Sequence, residues 1–465
     1  MLRLHDTATG TVRPLELRDP GRVSMYVCGP TVYGPPHLGH GRFTLFYDVV
    51  RRYLSFIGLD VRHVVNVTDV DDKIIERAAL EGRAPEEIAA ESEAEWWEAM
   101  DALEALRPTV IPHATDFIPQ MVALVADLVS RGAAYETDDG VYLEVDTVDG
   151  YGLLAHQPLD SLRAGARVET SGQKRSPLDF ALWKKAKPNE PTWPSPWGAG
   201  RPGWHTECVV MSLDLLGDGF DLHGGGQDLI FPHHENERAQ AVAEGREFAH
   251  YWLHYALVTV GGEKMSKSLK NFTTLADLRA HGDSRAYRLL VLRSNYRSPM
   301  EVTPATIADA EKGLERLDGL ARRLSLPDPM RDGPVVLDEA LAAAPEGVDE
   351  DAVTRFCERM DDDLDTAAAM AIVFDLVNRA HAAGDSGESA AATRLGATVA
   401  LLCGALGLRL RGSMAEIDDV TRRLVGERDA ARRARDFARA DALRSELVAA
   451  GWIVEDGPDG TVVRR

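Results

Sequence analysis

Short apolar runs alternate with long amphipathic segments along the first 110 residues of the chain. The run at 23–28 is short and apolar, which predicts a buried strand, and a helical pattern of apolar positions follows from about 37 to 57. A second strand is predicted at 61–67, and a long charged helix from 71 to about 106. Strand, helix, strand and helix in this order are typical of an α/β fold with a parallel, doubly wound sheet.

The α/β pattern is interrupted after this point and then returns. We interpret residues 111–202, which include a strand-like stretch at 140–145 and a Pro- and Trp-rich stretch at 188–202, as an insertion. The two halves of one α/β domain are therefore expected at 1–110 and 203–300. The elements predicted in the second half are a helix from Trp204, a strand at 220–223, a helix from Pro232 and a strand at 255–260.

Helical periodicity dominates past residue 300. Apolar positions at helical spacing predict a helical bundle at 301–413, interrupted by a Pro- and Gly-bearing segment at 327–347. A small mixed α/β module is expected at 414–465, with one arginine-rich helix at 427–449 and a strand at 451–457.

The composition is that of an ordinary globular protein. Of 465 residues, 45% are hydrophobic, which is enough for a large core. The net charge of −22 excludes a chain that is basic throughout, although one local basic surface would suffice to bind a nucleic acid. Four scattered cysteines are too few for a disulfide framework. With no apolar run of about 18 residues and no leader-like start, we expect a cytoplasmic protein without a membrane span.

Two histidines flank a glycine at the start of the first predicted helix, in the stretch His37-Leu-Gly-His40. Open α/β sheets bind ligands beyond the carboxyl ends of their strands, and helix N-termini present N–H groups to phosphates. His37 and His40 would share one face of the first helical turn, and Gly39 would let a nucleotide approach the backbone. Taken alone, these residue types also occur together by chance.

A lysine-containing stretch, Lys264-Met-Ser-Lys-Ser268, follows Gly261-Gly262 after a predicted strand. Two lysines in a glycine-hinged loop, Lys264 and Lys267, are suited to stabilising the charge of a transferring phosphate. A solvated basic loop is the alternative interpretation when this stretch is taken alone.

Together, the two stretches resemble the two signature motifs of class I aminoacyl-tRNA synthetases in order and separation, with Leu38 in place of the usual isoleucine. The more specific resemblance is to the cysteinyl-tRNA synthetase family and covers nearly the whole chain. The segments that carry it are 25–33 (MYVCGPTVY), 66–73 (NVTDVDDK), 178–184 (LDFALWK), 193–197 (WPSPW), 203–208 (GWHTEC) and 220–237 (FDLHGGGQDLIFPHHENE).

The resemblance implies a Rossmann-type doubly wound catalytic domain with an inserted connective region, then a helical bundle and a small mixed α/β anticodon-binding module. It implies a ligase that activates L-cysteine with ATP to cysteinyl-adenylate and transfers the cysteinyl group to the 3' end of tRNA(Cys). Mg²⁺ is expected with ATP, no protein nucleophile is required, and a monomer is expected. The residues expected to stabilise phosphate charge in catalysis are His37, His40, Lys264 and Lys267.

Four further residues offer donors for a metal ion. His233 and Glu237 are four apart on a predicted helix and point the same way, while Cys28 ends the first strand. Taken from the residues alone, the wide separation of Cys28 and Cys208 favours two buried cysteines without a metal. The resemblance implies instead one Zn²⁺ per chain, which would select a thiolate over a serine hydroxyl. The implied ligands are Cys28, Cys208, His233 and Glu237, with His234 expected to pack against the site or orient it.

Contacts to the amino acid and the nucleotide follow from the resemblance as well. The residues implied in binding the amino acid are Gly29, Thr31, Thr68 and Trp204. Those implied in binding ATP are Gly39, Gly226, Asp228 and Lys267. The alternative for Trp204 is packing in the core without a ligand contact. The alternative for the glycines at 224–226 is a simple turn that binds no nucleotide. The acidic run at 69–72 is interpreted as a charge cluster at a helix N-terminus.

Two other functions fit parts of the sequence. A mycothiol-pathway ligase that joins cysteine to an amino sugar would share the catalytic domain, and a synthetase-like binding protein without catalysis would share the fold. Intact lysines and metal donors argue against the second. The tail argues against the amino-sugar ligase, because arginines on one predicted helix, with Trp452 just beyond it, suit unpaired anticodon bases. The alternative is a solvated helix that packs Phe437 and Leu443 inward. These arginines are Arg432, Arg433, Arg435, Arg439 and Arg444.

Overall fold

Four parallel strands form the central sheet of the structure, which is a computed structural model. In spatial order the strands are Tyr251–Tyr255, Leu222–Gly226, Arg22–Val27 and Asp60–Val65. The prediction of a parallel α/β sheet is confirmed. The residues that the structure describes are 1–157, 173–188, 190–260, 263–264, 274–330, 333–343, 347–411, 419–450, 452–457 and 460–464.

The strand Arg22–Val27 lies inside this sheet, with a partner on each side. Every residue after Arg22 is buried, because a parallel sheet in an α/β protein is covered on both faces. The helix Leu38–Phe56 connects this strand to Asp60–Val65 and occupies the range predicted for it. Since the carboxyl ends of parallel strands meet at one edge, residues that directly follow the strands come together there.

The prediction of one long helix over 71–106 is wrong, because the chain forms two helices, Asp72–Glu81 and Pro85–Ala102. Gly82 ends the first helix with a φ of 66°. Pro85 occupies the first turn of the second helix. Glycine adopts positive φ without the steric cost of a Cβ, and the φ of proline is already helical.

An antiparallel sheet occupies part of the region interpreted as an insertion. Its strands, in spatial order, are Ala134–Glu136, Gly140–Leu143, Phe180–Lys185 and Gly200–Pro202. The elements that accompany it are the helix Ile118–Ser130 and the 3-10 turns Ala114–Phe117 and Val145–Thr147. The last strand leads directly into the helix Trp204–Leu216, which begins where it was predicted and packs against Arg22–Val27.

The chain departs from the prediction around Pro232. The strand predicted at 220–223 lies at Leu222–Gly226 and so includes three glycines. The regular helix predicted from Pro232 instead spans Glu235–Glu244, because Phe231 is extended, with φ of −137° and ψ of 132°. Two short helical turns, Gln227–Leu229 and Ile230–His234, lie between the strand and the helix.

The single strand predicted at 255–260 is wrong, because two strands share this stretch. Tyr251–Tyr255 belongs to the central sheet, and Val258–Val260 belongs to a separate three-stranded sheet. The partners of Val258–Val260 are Glu263–Lys264 and Met300–Glu301.

Helices dominate the chain past residue 300, as predicted, and two further helices, Leu275–His281 and Ser284–Leu292, precede that point. Their core is continuous with that of the parallel sheet. One cluster of buried side chains runs from Met25 in the sheet to Leu402. The buried carboxylate of Asp48 pairs with Arg52 at 2.8 Å and with Arg288 at 2.5 Å, which joins the two parts. The helices are Leu275–His281, Ser284–Leu292, Pro304–Leu324, Leu337–Ala343, Glu350–Asp361, Thr366–Asp385 and Ser389–Ala405.

The last part of the chain forms two helices and a hairpin around a small core of its own. The prediction of one helix at 427–449 is wrong, because Arg435 adopts a φ of 60° and separates two helices. The alternative of inward packing holds for Leu443, which is buried, but not for Phe437, which is 64% exposed. The expectation that Trp452 offers a surface to unpaired bases is wrong, because its side chain is buried in the core of this part of the chain. The elements are Asp419–Arg433, Phe437–Ala449, Ile453–Gly457 and Gly460–Arg464.

A second hairpin, Arg3–Asp6 with Thr11–Pro14, precedes the central sheet. A bilayer-crossing helix is absent from the described part of the chain, where every helix is too short or too polar for that role.

Candidate metal centre and active site

Four donor side chains from distant parts of the chain meet at the carboxyl edge of the parallel sheet. Cys28 directly follows the strand Arg22–Val27, and Cys208 lies in the first half of the helix Trp204–Leu216. All four side chains are buried, and their donor atoms lie within 4.8 Å of one another. We call this set, Cys28, Cys208, His233 and Glu237, the metal centre.

The distances in the metal centre suit a tetrahedral ion. The two Sγ atoms of Cys28 and Cys208 are 3.6 Å apart, and the Cys28 Sγ lies 3.3 Å from Glu237 Oε1. His233 Nε2 lies 3.6 Å from the Cys208 Sγ and 2.9 Å from Glu237 Oε1. Ligands about 2.0–2.3 Å from a tetrahedral Zn²⁺ lie about 3.3–3.8 Å from one another, and these four separations fall within that range or a few tenths of an ångström below it.

Electrostatics favour the anionic forms of two of the four donors, whereas burial and the neighbouring Cys208 raise the pKa of the Cys28 thiol. Burial by itself raises the pKa of Glu237, but His223 and His233 outweigh it and hold that pKa well below the usual range. Burial likewise raises the pKa of Cys208, yet hydrogen bonding from Cys28 and His233 lowers it to about 6. Carboxylate and thiolate are the forms that bind metal ions.

A hydrogen bond orients the imidazole of His233. Its Nδ1 lies 2.8 Å from His205 Nδ1, which leaves Nε2 directed at Cys208 and Glu237. Such a partner for the second ring nitrogen is usual at histidine metal ligands, where it fixes ring orientation. His205 did not emerge from the sequence as a site residue, although it lies between Trp204 and Cys208 within the segment 203–208.

A second group of histidines lies next to the metal centre. His223 Nε2 lies 2.6 Å from Glu237 Oε2, and the His223 ring stacks on Trp252 at 4.7 Å. His234, expected to pack or orient, is fully buried and hydrogen-bonds with His254 at 2.8 Å. Cys28, His223, His234 and Glu237 could also hold an ion. We favour the metal centre over this set because it contains both thiols, the ligands that zinc favours in such sites.

A chain of buried hydrogen bonds leads from the metal centre to Thr68. The backbone N–H of Gly29 donates to Asn66 Oδ1 at 2.8 Å, and Asn66 Nδ2 donates to Thr68 Oγ1 at 3.3 Å. Thr68 Oγ1 donates to Glu207 Oε2 at 2.9 Å. Burial and the neighbouring Cys208 thiol raise the pKa of Glu207 well above its usual value. Asn66 and Glu207 were missed in the sequence, where each lies within two residues of a residue already singled out.

The remaining residues expected to bind the amino acid lie around this chain of hydrogen bonds. Thr31 pairs with Thr68 across a parallel bridge. A Cβ on Gly29 would lie 1.7 Å from the carbonyl oxygen of Asn66, so only glycine fits there. Trp204 is 37% exposed and its ring centre lies 4.0 Å from that of His233, which argues against the alternative of core packing.

The residues 37–40, which we call the signature turn, start the helix Leu38–Phe56. His37 is the N-cap residue, and its side chain accepts from the His40 N–H at 3.3 Å while its own N–H donates to His40 Nδ1 at 3.2 Å. The two rings stack with centres 3.6 Å apart, so the histidines share one face as predicted. Gly39 lies between them in the first helical turn.

The lysine stretch is only partly described. Lys264 belongs to the two-residue strand Glu263–Lys264, whereas Lys267 lies outside the described residues. The chain beyond the stretch returns to the signature turn, because Thr274 forms an antiparallel bridge with His37.

Two of the residues expected to bind ATP, Gly226 and Asp228, lie at the carboxyl edge of the parallel sheet. Gly226 ends the strand Leu222–Gly226, and Asp228 is exposed in the turn that follows. A Cβ on Gly226 would lie 2.5 Å from Asp228 Oδ1, so the carboxylate contacts this glycine.

The acidic run 69–72 lies at a helix N-terminus as predicted, since Asp71 caps the helix Asp72–Glu81.

Comparison with family models finds two matches. The model of the catalytic domain of class I (C) tRNA synthetases matches residues 14–312, and the model of the DALR domain matches residues 355–411.

Two cysteine–tRNA ligases match the chain over its full length. The cysteine–tRNA ligase of Chromobacterium violaceum is 44% identical over 470 residues, which covers 100% of this chain and 100% of that protein. The cysteine–tRNA ligase of Halorhodospira halophila is 43% identical over 475 residues, with the same coverage of both.

Solved structures share the fold at low sequence identity. Mycobacterium tuberculosis methionyl-tRNA synthetase in complex with methionyl-adenylate has a TM-score of 0.57 at 17% identity, and the match covers 83% of this chain and 89% of that chain. The LeuRS–tRNA–LeuAMS complex of Agrobacterium radiobacter K84 has a TM-score of 0.61 at 11% identity, covering 85% of this chain and 84% of that chain.

Proposed function

Because the chain belongs to the cysteine–tRNA ligase family of class I aminoacyl-tRNA synthetases, we propose that it selects L-cysteine at the metal centre and transfers it to tRNA(Cys). The observation that carries this proposal is the buried set of two thiols, an imidazole and a carboxylate at the carboxyl edge of the sheet. That edge is where α/β sheets bind their ligands.

The four residues of the metal centre would hold one Zn²⁺. A bound Zn²⁺ would deprotonate a coordinating thiol and favour sulfur over oxygen, which separates cysteine from serine. The chain's own part is to hold its donors in place. His205 fixes the ring of His233, His223 fixes the carboxylate of Glu237, and Asn66 Oδ1 lies 3.9 Å from the Cys208 Sγ.

The reaction runs in two steps without a protein nucleophile. A carboxylate oxygen of cysteine attacks the α-phosphorus of ATP, the bond to the β-phosphate breaks, and pyrophosphate leaves with that electron pair. A ribose hydroxyl at the 3' end of tRNA(Cys) then attacks the carbonyl carbon of cysteinyl-adenylate and AMP leaves. Positioning and charge stabilisation account for catalysis of such phosphoryl chemistry.

Charge stabilisation falls to the signature turn and the lysine stretch. His37 and His40 present two imidazoles at a helix N-terminus, where the helix dipole and free N–H groups favour phosphate. Lys264 and Lys267 would add positive charge at the transferring phosphate, with Mg²⁺ bound to ATP. Gly39 and Gly226 would leave room for the nucleotide, and Asp228 would accept hydrogen bonds from its ribose.

Recognition of tRNA would use the parts of the chain that follow the catalytic region. The helices beyond residue 300 carry the DALR match, and the module at 414–465 would bind the anticodon. Phe437 is exposed and suits the stacking of unpaired bases. We propose a monomer in the cytoplasm.

The decisive experiment is ATP–pyrophosphate exchange with purified protein, followed by charging of total tRNA. We expect exchange that depends on cysteine and not on serine, and cysteinylation of tRNA(Cys) alone. One zinc per chain should be found by elemental analysis. Exchange with cysteine by a zinc-free preparation at the normal rate would contradict the role of the metal centre.

The amino-sugar ligase remains the second candidate, since it would use the same metal centre. Deletion of 414–465 distinguishes the two. We expect the truncated chain to keep exchange near normal and to lose charging of tRNA by orders of magnitude, because the anchor that positions the acceptor end is removed. Undiminished charging would contradict the anticodon-binding role of 414–465, whereas cysteine-dependent exchange without any charging of tRNA by the full-length chain would favour the amino-sugar ligase.

A further inference from the structure

The imidazole of His40 has an aromatic neighbour from a distant part of the chain. Trp96, on the helix Pro85–Ala102, meets the His40 ring at a steep angle, with ring centres 5.0 Å apart and ring planes inclined by 61°. The same indole lies 6.1 Å from the ring of Phe43 in the helix Leu38–Phe56. Trp96 therefore connects the first turns of the helix Leu38–Phe56 to a helix that follows much later in sequence.

Contacts within the signature turn hold the His40 ring only weakly. Its Nδ1 accepts from the His37 N–H at 3.2 Å, and the reciprocal bond to His37 Nδ1 is 3.3 Å long, whereas backbone hydrogen bonds are usually about 2.9–3.0 Å. Both histidines are half-buried, so water can compete for these bonds. Stacking of the two rings fixes one imidazole relative to the other but not relative to the rest of the sheet edge.

Trp96 belongs to the core and not to the mobile surface of the signature turn. Its side chain is 4% exposed and lies in the largest buried cluster of the structure. Its helix contacts the helix Leu275–His281, whose first residue donates its N–H to the carbonyl of Pro36 at 3.0 Å. The indole is thus a fixed point of the fold directly beside the signature turn.

The contact between the two rings is of a kind that sets orientation. An aromatic ring has an electron-rich face and an electropositive edge, so ring pairs prefer edge-to-face geometry with centres about 4.5–7 Å apart. The pair of Trp96 and His40 fits this geometry, and such a contact requires no ring nitrogen of the imidazole. A group that stabilises developing charge must be held within about 0.5 Å of its productive position, so the tilt of the His40 ring matters for catalysis.

We propose that Trp96 is a positioning residue that holds the imidazole of His40 in place at the transferring phosphate. Trp96 itself contacts the histidine and acts through it. This inference rests on the proposed function, which assigns His40 to the stabilisation of phosphate charge.

A double-mutant cycle separates positioning of His40 from filling of the core. Trp96→Leu removes the ring and keeps an apolar side chain, whereas Trp96→Phe keeps a ring. Both changes are made in the wild type and in His40→Ala. Met100→Ala is the matched control, because Met100 lies four residues later on the same helix, is 2% exposed and belongs to the same cluster. The kcat and the KM for cysteine are measured by pyrophosphate exchange, and stability is measured by urea denaturation.

We expect Trp96→Leu to lower kcat about 3- to 10-fold, the scale of one aromatic contact, and to leave the KM for cysteine within about twofold. Trp96→Phe should stay within about twofold of the wild type in kcat. In the His40→Ala background, Trp96→Leu should change kcat by less than about twofold, because the ring that it positions is gone. Met100→Ala should unfold at lower urea concentration than the wild type and keep its kcat within about twofold, since it creates a cavity without touching the ring pair.

An equal fall in kcat for Trp96→Leu in both backgrounds, or an unchanged kcat in the wild-type background, would overturn the inference. A fall in kcat for Met100→Ala as large as that for Trp96→Leu would do the same, since it would show a general effect of the core. Should Trp96→Leu fail to fold, Trp96→Met in the two backgrounds supplies the same comparison.

Failure of the proposed function gives a different result. A wild type without cysteine-dependent exchange, or a His40→Ala variant with normal kcat, would contradict the proposed function. An active wild type with a slow His40→Ala variant, in which the effects of Trp96→Leu and His40→Ala are independent, contradicts this inference alone.

Discussion

The metal centre draws its four donors from separate parts of the chain, whereas the signature turn draws its two histidines from a single helical turn. Cys28 and Glu237 are 209 residues apart in sequence, yet their donor atoms lie within 3.3 Å. His37 and His40 are 3 residues apart and stack at 3.6 Å. One site depends on the topology of the sheet, and the other depends on the geometry of one capped helix.

A buried histidine in the metal centre, His233, differs in its pKa from a buried histidine outside it, His63. In the metal centre, burial alone would lower the pKa of His233, but Glu237 and Cys208 raise it to about 10. In the strand Asp60–Val65, burial and the nearby Arg51 lower the pKa of His63 to about 3, and neither of its ring nitrogens has a hydrogen-bond partner in the described structure. The imidazole is the same in both places, so the presence of an anionic partner decides its charge.

Replacing a thiol of the metal centre should have the largest effect. Cys208→Ser leaves three donors, and we expect loss of zinc together with a fall of 10³-fold or more in kcat/KM for cysteine-dependent exchange, since selection of the thiol is lost. Cys403→Ser, a buried cysteine in the helix Ser389–Ala405, is the matched control and should keep both. Retention of zinc and activity by Cys208→Ser would show that the metal centre is not the site of cysteine selection.

Removing a ring from the signature turn should have the next largest effect, and on a different step. We expect His40→Ala to slow adenylate formation about 10²-fold, since it removes a preorganised group from the phosphate site, and to leave the KM for cysteine unchanged. The variant also loses the hydrogen bond from the His37 N–H to the His40 side chain, which should lower the free energy of unfolding by about 1 kcal/mol. The half-buried His250 provides the control variant, His250→Ala. An elevated KM with normal kcat in His40→Ala would contradict the assignment.

The partner of a metal ligand should matter less than the ligand itself. His205→Phe removes the hydrogen bond to His233 but leaves all four donors, and we expect zinc affinity to fall about 10- to 100-fold. Competition with a chelator measures this affinity. Excess zinc should restore exchange to His205→Phe and not to Cys208→Ser. Failure of zinc to restore His205→Phe would assign His205 to folding of the site.

The smallest effect on activity is expected at His63, where the readout is stability in acid. Its folded pKa of about 3 lies below the ordinary value of 6.5, so the unfolded chain takes up a proton first as the pH falls. The stability that neutral His63 provides is complete above pH 6.5 and is lost as the pH falls from there toward 3. Between pH 7 and 5, wild type should lose about 2 kcal/mol more unfolding free energy than His63→Leu, measured by urea denaturation. Equal acid sensitivity of the two proteins would contradict this account.

Several local features could be predicted because they depend on neighbouring residues. The signature turn, the helix Leu38–Phe56 and the helix that begins at Trp204 lie where the sequence indicated. The helix errors at 71–106 and 427–449 are of one kind, since a charged amphipathic pattern continues across a residue with positive φ. At Gly82 the signal was present as a glycine followed by a proline, whereas at Arg435 no residue type marked the break.

The sequence by itself determined the α/β class, the placement of His37 and His40 on one face of a first helical turn and, through resemblance, the family and a predicted set of four donors. These depend on short-range pattern, helix capping and residue type, which act within a few residues. The tertiary structure alone decided that the donors meet, that His205 and His223 hold them, and that Glu207 hydrogen-bonds with Thr68. Such contacts form only when strands far apart in sequence end at one edge of a sheet, because hydrogen bonds and Coulomb forces act over a few ångströms whatever the chain separation.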